Sequence, residues 1–154
     1  MLIFLDIDGV MVPAKSWASP VILEDGFPDF SAKATNTLRN LISEDVTIML
    51  TTSHKWRYSI ETWKTIFAKR GILLHKLDRL DDNVSHLNRK DEIMQWIDAH
   101  HQHEDFVILD DDTSLNDLPD LLKKHLILTS PIIGLTENHL EAVKSMMNKR
   151  VQAA

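Results

Sequence analysis

Two aspartates one residue apart, Asp6 and Asp8, close an apolar run and are followed at once by Gly9 and Val10. At the carboxyl end of a strand, such a pair faces the crevice where open parallel sheets take their ligands. Burying two carboxylates side by side is costly, and a divalent cation removes the cost, so the spacing asks for magnesium. An isolated Asp-x-Asp-Gly serves equally well as a turn cap, and its chemistry depends on what else reaches the same place.

Three other groups of residues could reach it. Asp110, Asp111 and Asp112 directly follow the apolar run Phe106-Val107-Ile108-Leu109, so a second set of hard oxygen donors is expected at a strand end; Asp112 reads better as the cap of the following turn. Thr51, Thr52 and Ser53 end the run 46–50, where a hydroxyl beside backbone N–H groups can hydrogen-bond a phosphoryl oxygen. Thr47 and Thr51 also suit a strand for purely structural reasons. Arg89 and Lys90 stand ahead of an amphipathic stretch, and a cation there can neutralise a carboxylate and a transferring phosphoryl group.

The elements that must position these residues follow from hydrophobic patterning. Short runs apolar on both faces predict strands over residues 2–7, 46–51, 72–75, 106–109 and 125–128, as buried parallel strands require. Between them, apolar residues recur at helical spacing: Ala34, Leu38, Leu41 and Ile42 after a Ser31 cap; Ile60, Trp63, Ile66 and Phe67 in a helix over 58–69 stopped by Gly71; Ile93, Met94, Trp96 and Ile97 in a helix over 91–101; Leu140, Val143, Met146 and Met147 after Thr136. Alternating strands and helices predict an α/β domain with a parallel sheet. Residues 11–30 hold three of the five prolines and read as a loop or small flap, and 77–87 as a polar loop.

Composition narrows the partners. Seventeen basic and 23 acidic residues give a net charge of −6, which argues against a broad electrostatic footprint for nucleic acid but leaves room for a local basic groove. No cysteine is present, which removes disulfides, thiolate nucleophiles and cysteine-ligated zinc. The apolar start lacks a basic flank and runs into Asp6, so neither a secretory signal nor a membrane partner is expected, and the cytoplasm is the expected location. His100, His101 and His103 read as a polar helix end rather than a second metal site.

In order along the chain, Asp6-x-Asp8-Gly9, the hydroxyl residues after a strand, the cation before a helix and Asp110-Asp111 resemble the four motifs of the haloacid dehalogenase (HAD) superfamily. A closer resemblance is to the HAD domains of Swiss Army Knife RNA repair proteins. It is carried by Asp6-Ile7-Asp8-Gly9-Val10, Trp56-Arg57, Arg89-Lys90-Asp91-Glu92-Ile93 with Trp96-Ile97, Ile108-Leu109-Asp110-Asp111, and Gly134-Leu135-Thr136. It implies one α/β domain over residues 1–154, a three-layer Rossmann-like HAD fold with a mainly parallel five-stranded sheet and a minimal cap or none.

The resemblance also implies a chemistry: a magnesium-dependent phosphatase working through an aspartyl-phosphate. By it, Asp6 is the nucleophile and Asp8 the acid–base; Asp6, the Asp8 carbonyl and Asp111 hold magnesium, with Asp110 in support. Thr52 is the expected phosphoryl-binding hydroxyl, although Ser53-His54-Lys55 separate it from Trp56-Arg57 more widely than in the family pattern. Lys90 is the expected cation, because HAD enzymes generally use lysine there. Gly9, Ser53, Trp56, Arg57 and Arg89 are expected to line the substrate. With no cap, polynucleotide ends, phosphoproteins and small phosphate esters all fit; Trp56 could stack on a base beside cations, or pack in the core. Two rival readings are a phospho-acceptor receiver domain, in which the acidic pair comes first and the acceptor aspartate later, and an inactive HAD-like binding module.

Overall fold

The computed structural model describes residues 1–15, 19–102 and 105–153, with side chains described through residue 147. Five strands, β1 (Leu2–Leu5), β2 (Thr47–Leu50), β3 (Lys76–Arg79), β4 (Phe106–Asp110) and β5 (Leu126–Leu128), form one sheet in the order β3-β2-β1-β4-β5, every pair parallel. Helices α1 (Ala32–Arg39), α2 (Ile60–Lys69), α3 (Arg89–His100), α4 (Asp120–Lys123) and α5 (Glu137–Ala153) alternate with the strands, and a 3₁₀ turn spans Thr113–Asp117.

Side chains of a strand alternate between the two faces of the sheet, and the core divides accordingly. Ile3, Leu5, Ile48, Leu50, Val107 and Leu109 pack with residues of α1, α2 and α5. Leu2, Phe4, Met49, Phe106 and Ile108 pack on the other face with Ile93 and Ile97 of α3 and with Leu115 and Leu118. The result is the three-layer α/β architecture expected from the patterning. Among the described residues no separate cap domain interrupts it. The loop after β1 is instead folded onto the molecule through buried Phe27 and Phe30, with a single antiparallel bridge between Ile22 and Pro28.

Most boundaries fall where the sequence places them. Ser31 caps α1 by accepting from the Ala34 amide at 3.1 Å, Ser59 caps α2 in the same way, and Gly71 follows α2 with φ of +82°. One strand is a correction: the run 72–75 is not β3. Ile72 is fully buried in the turn that leaves α2, and the third strand is the polar segment Lys76–Arg79, inside what reads as a loop. Among the described residues β3 pairs only with β2, and its residues alternate between exposed and half-buried, so it needs no continuous apolar run. A second correction concerns α3, which begins at Arg89 rather than Asp91, because Asn88 caps it by accepting from the Asp91 amide at 2.8 Å.

Candidate active site

Strand register brings the acidic residues together. Phe4 stands between Met49 and Ile108, and Leu5 between Leu50 and Leu109; one step further along, Asp6 stands between Thr51 and Asp110. The ladder continues that far, since the Asp6 amide donates to the Leu109 carbonyl and the Thr51 amide to the Leu5 carbonyl. The two-residue period then points Asp6, Thr51 and Asp110 to the same face as Phe4, Met49 and Ile108, toward the start of α3. One oxygen from each of Asp6, Asp110 and Asp111 lies within 4.8 Å of the others.

The turn after β1 is held open for this cluster. Gly9 has φ of +80°, and a Cβ there would lie 2.1 Å from Oδ2 of Asp111, so only glycine lets the Asp111 carboxylate approach the turn. Thr129, just past β5, donates its hydroxyl to the Gly9 carbonyl at 2.8 Å. Gly134 packs against the Val10 carbonyl, which a Cβ would approach to 2.6 Å, and the Leu135 amide donates to that same carbonyl. The Gly134-Leu135-Thr136 segment thus braces the turn that carries Asp6 and Asp8.

Arg89 enters the cluster from the first turn of α3. Its Nη1 lies 2.5 Å from Oδ2 of Asp110 and 3.5 Å from Oδ2 of Asp6, and it approaches the Thr51 hydroxyl at 3.4 Å. Lys90 does not reach the acids: its Nζ pairs with Asp91 at 3.8 Å. Adjacent helical residues point about 100° apart, so an onset at Arg89 turns that residue inward and Lys90 away.

Burial and charge act strongly on these groups. Burial first, and then the charge of Asp110, pushes the Asp6 carboxyl up to about 9, against the opposing pull of Arg89. Burial also raises Asp111, opposed by its hydrogen bond with Asp6. For Arg89, burial works against the charge, but Asp110 and Asp6 more than reverse it and hold the guanidinium protonated. Asp112 is not part of the cluster; its Oδ1 accepts from the Ser114 amide at 2.9 Å and starts the 3₁₀ turn.

The remaining expected residues meet other partners. Thr52 is buried, and its hydroxyl accepts from the His54 amide at 3.4 Å, whereas Thr51 donates to Asp110. Ser53 and Arg57 are exposed. Asp8 is 61% exposed and faces His54, Nε2 to Oδ2 3.3 Å. Trp56 is 49% exposed rather than in the core: its Nε1 donates to the Leu80 carbonyl at 3.0 Å, and the Arg79 guanidinium lies 3.6 Å from its ring centroid. Lys55, one of the cations beside Trp56, and Glu92, in the run Arg89-Lys90-Asp91-Glu92-Ile93, form a buried pair that the sequence does not show. Lys55 is buried and reaches Glu92 of α3 at 2.6 Å, and Oε1 of Glu92 lies 3.8 Å from Nε of Arg89. Lysines in loops are ordinarily solvated, so nothing in the sequence signals it. His100 and His101 close α3, with the His100 ring stacked on Trp96 at 4.0 Å; His103 lies outside the described residues.

Four carboxylates, Asp6, Asp110, Asp111 and Glu92, thus share this region with two cations, Arg89 and Lys55. Carboxylate oxygens are the donors that hard divalent ions take, and the surplus of negative charge matches one such ion, so Asp6, Asp110 and Asp111 fit a metal site.

An all-parallel open sheet with an aspartate turn after its central strand, and acids at the end of the neighbouring strand, is the arrangement of a HAD-type domain. The match is specific: residues 2–140 fit the family described as the HAD domain in Swiss Army Knife RNA repair proteins, and the chain belongs to that family. A search of curated proteins gives no match. Membership points to a hydrolase of the phosphatase type.

Proposed function

We propose that the protein is a magnesium-dependent phosphomonoesterase that works through an aspartyl-phosphate on Asp6. The observation that carries this reading is the convergence of Asp6, Asp110 and Asp111 within 4.8 Å, with Arg89 against Asp6. Asp6, Asp111 and the backbone carbonyl of Asp8 would hold magnesium, with Asp110 in support. When bound, the ion would supply positive charge that lets Asp6 remain ionised at neutral pH and that balances the phosphoryl oxygens.

The protein's own residues perform the transfer. An Asp6 oxygen attacks phosphorus and the bond to the leaving oxygen breaks, while Asp8 delivers its proton to that oxygen. Asp8, now ionised, takes a proton from water as the water attacks phosphorus; phosphate leaves and the Asp6 carboxylate is restored. Arg89 balances the charge of the transferring group, taking the part expected of Lys90. The Thr52 hydroxyl, which accepts from His54, keeps its hydrogen for a phosphoryl oxygen. Thr51, tied to Asp110 and Arg89, steadies the acids.

The rim favours a substrate larger than a sugar phosphate. Asp8, Ser53 and Arg57 are exposed, and Trp56, on the same loop as the His54 that faces Asp8, offers an anchored ring. A terminal phosphate on a polynucleotide fits this layout, with Gly9, Ser53, Trp56 and Arg57 along it, and the family's RNA repair proteins support that choice. The test is hydrolysis of an aryl phosphate and of end-phosphorylated RNA and DNA, with and without magnesium. Activity should require the ion and vanish in Asp6→Asn, an isosteric change whose fold is checked by its melting midpoint. Turnover retained by Asp6→Asn would overturn the mechanism; inactivity on every polynucleotide would overturn the substrate.

A further inference from the structure

Glu92 and Lys55 form a second layer behind Arg89. Lys55 is on the loop that follows β2, and its side chain is 4% exposed; Glu92 is one turn into α3, and its side chain is 10% exposed. Their charged ends meet at 2.6 Å. The other Glu92 oxygen faces Nε of Arg89 at 3.8 Å, while Nη1 of Arg89 faces Asp110 and Asp6. The guanidinium therefore has negative charge on two sides: Asp110 hydrogen-bonds its Nη1 edge, and Glu92 stands at ion-pair distance, beyond hydrogen-bond reach, on its Nε edge.

Burying an ion pair is an inefficient way to stabilise a fold, since apolar residues of the same volume do at least as well. A buried pair touching the cation of the site has another use. Arginine presents its donors in a rigid planar fork, so holding one edge fixes the direction of the other. We propose that Glu92 and Lys55 are positioning residues: Lys55 holds Glu92, and Glu92 sets the plane of Arg89 so that Nη1 lies between Asp110 and Asp6. The proposal rests on the reading of Arg89 as the cation that balances the transferring phosphoryl group.

A positioning role and a purely structural one part company in the double variant. Glu92→Gln or Lys55→Met alone leaves one buried charge without its partner, so each should lower the melting midpoint. The double variant Lys55→Met, Glu92→Gln removes both charges and should melt close to the wild type. If the pair only holds the loop to α3, hydrolysis of an aryl phosphate by the double variant returns to the wild-type rate, and the proposal fails. If the pair positions Arg89, kcat stays about ten-fold down in the refolded double variant, with KM little changed, and the loss is no greater than in either single variant.

A readout independent of turnover separates this proposal from the phosphatase reading. In the ¹⁵N NMR spectrum the Arg89 Nε–H should be ordered in the wild type and mobile in the double variant. An equally ordered Arg89 in both overturns the positioning role, whether or not the wild type hydrolyses phosphate esters; an ordered wild type that fails to hydrolyse any of them counts against the phosphatase reading alone.

Discussion

Trp56 shows how single residues divide the work at the rim. Its Nε1 is committed to the Leu80 carbonyl and one face to the Arg79 guanidinium, which itself donates to the Lys55 and Tyr58 carbonyls. The ring is anchored at its Nε1 edge and over one face, and half of the residue meets water. Stacking a base on an aromatic ring contributes about 1–3 kcal/mol. Trp56→Ala should therefore raise KM for end-phosphorylated RNA by roughly ten-fold or more while leaving KM for an aryl phosphate near its wild-type value, as steady-state assays on the two substrates would show. That Asp6, Asp110 and Asp111 could converge was legible in the sequence, because each ends or follows an apolar run that forms a strand. Which neighbour faces inward was not. Arg89 displaces Lys90 through the onset of α3, for which Asn88 was the available sign as a preferred cap. Thr51, not Thr52, meets the acids through the pleat of β2.

At the scale of elements, Arg70 ties residues 25–28, in the loop after β1, to α2. Arg70, at the end of α2, donates from Nη1 to Asp25 at 2.7 Å and to the Ile66 carbonyl, and from Nη2 and Nε to the Phe27 and Pro28 carbonyls. It also lies over the Phe27 and Phe30 rings. Removing one partner of a buried pair typically costs about 3–5 kcal/mol, so Arg70→Met should lower stability by about that much in urea unfolding at neutral pH. The hydrogen bond from Arg70 holds the Asp25 carboxyl below its ordinary 3.8. Its contribution is therefore complete above pH 3.8 and lost as pH falls through the lowered value. The stability gap between wild type and variant should narrow on the acid side of that pH to what the carbonyl contacts contribute, and a gap unchanged at low pH would show that the Asp25 pair adds nothing. Strands apolar on both faces, β1, β2 and β4, could be found by pattern alone, as could the caps Ser31 and Ser59. The edge strand β3 could not, because Lys76 and Asp78 face outward and only one neighbour must be satisfied.

For the molecule as a whole, the cluster of acids is a standing cost that a bound ion would relieve. A ligand that binds only the folded chain stabilises it by about 2.7 kcal/mol at a hundred times its Kd. Magnesium should accordingly raise the thermal midpoint of the wild type by roughly 5–10 °C at saturating levels, following the usual scaling for a chain of this size, and should do so far less for Asp111→Asn. Differential scanning fluorimetry with a chelator as the reference would show it. The sequence pattern already placed the sheet and its helices on this scale, whereas the pairing of β1 between β2 and β4 was visible only in the structure. That pairing also sets a timetable. β1 finds one neighbour in β2, but the other, β4, is about 100 residues further along the chain, and contacts so distant in sequence close late. If the carboxylates of Asp6 and Asp110 meet only after the folding transition state, magnesium should slow unfolding in stopped-flow urea experiments and leave the folding rate nearly unchanged; an equal acceleration of folding would show that they meet earlier.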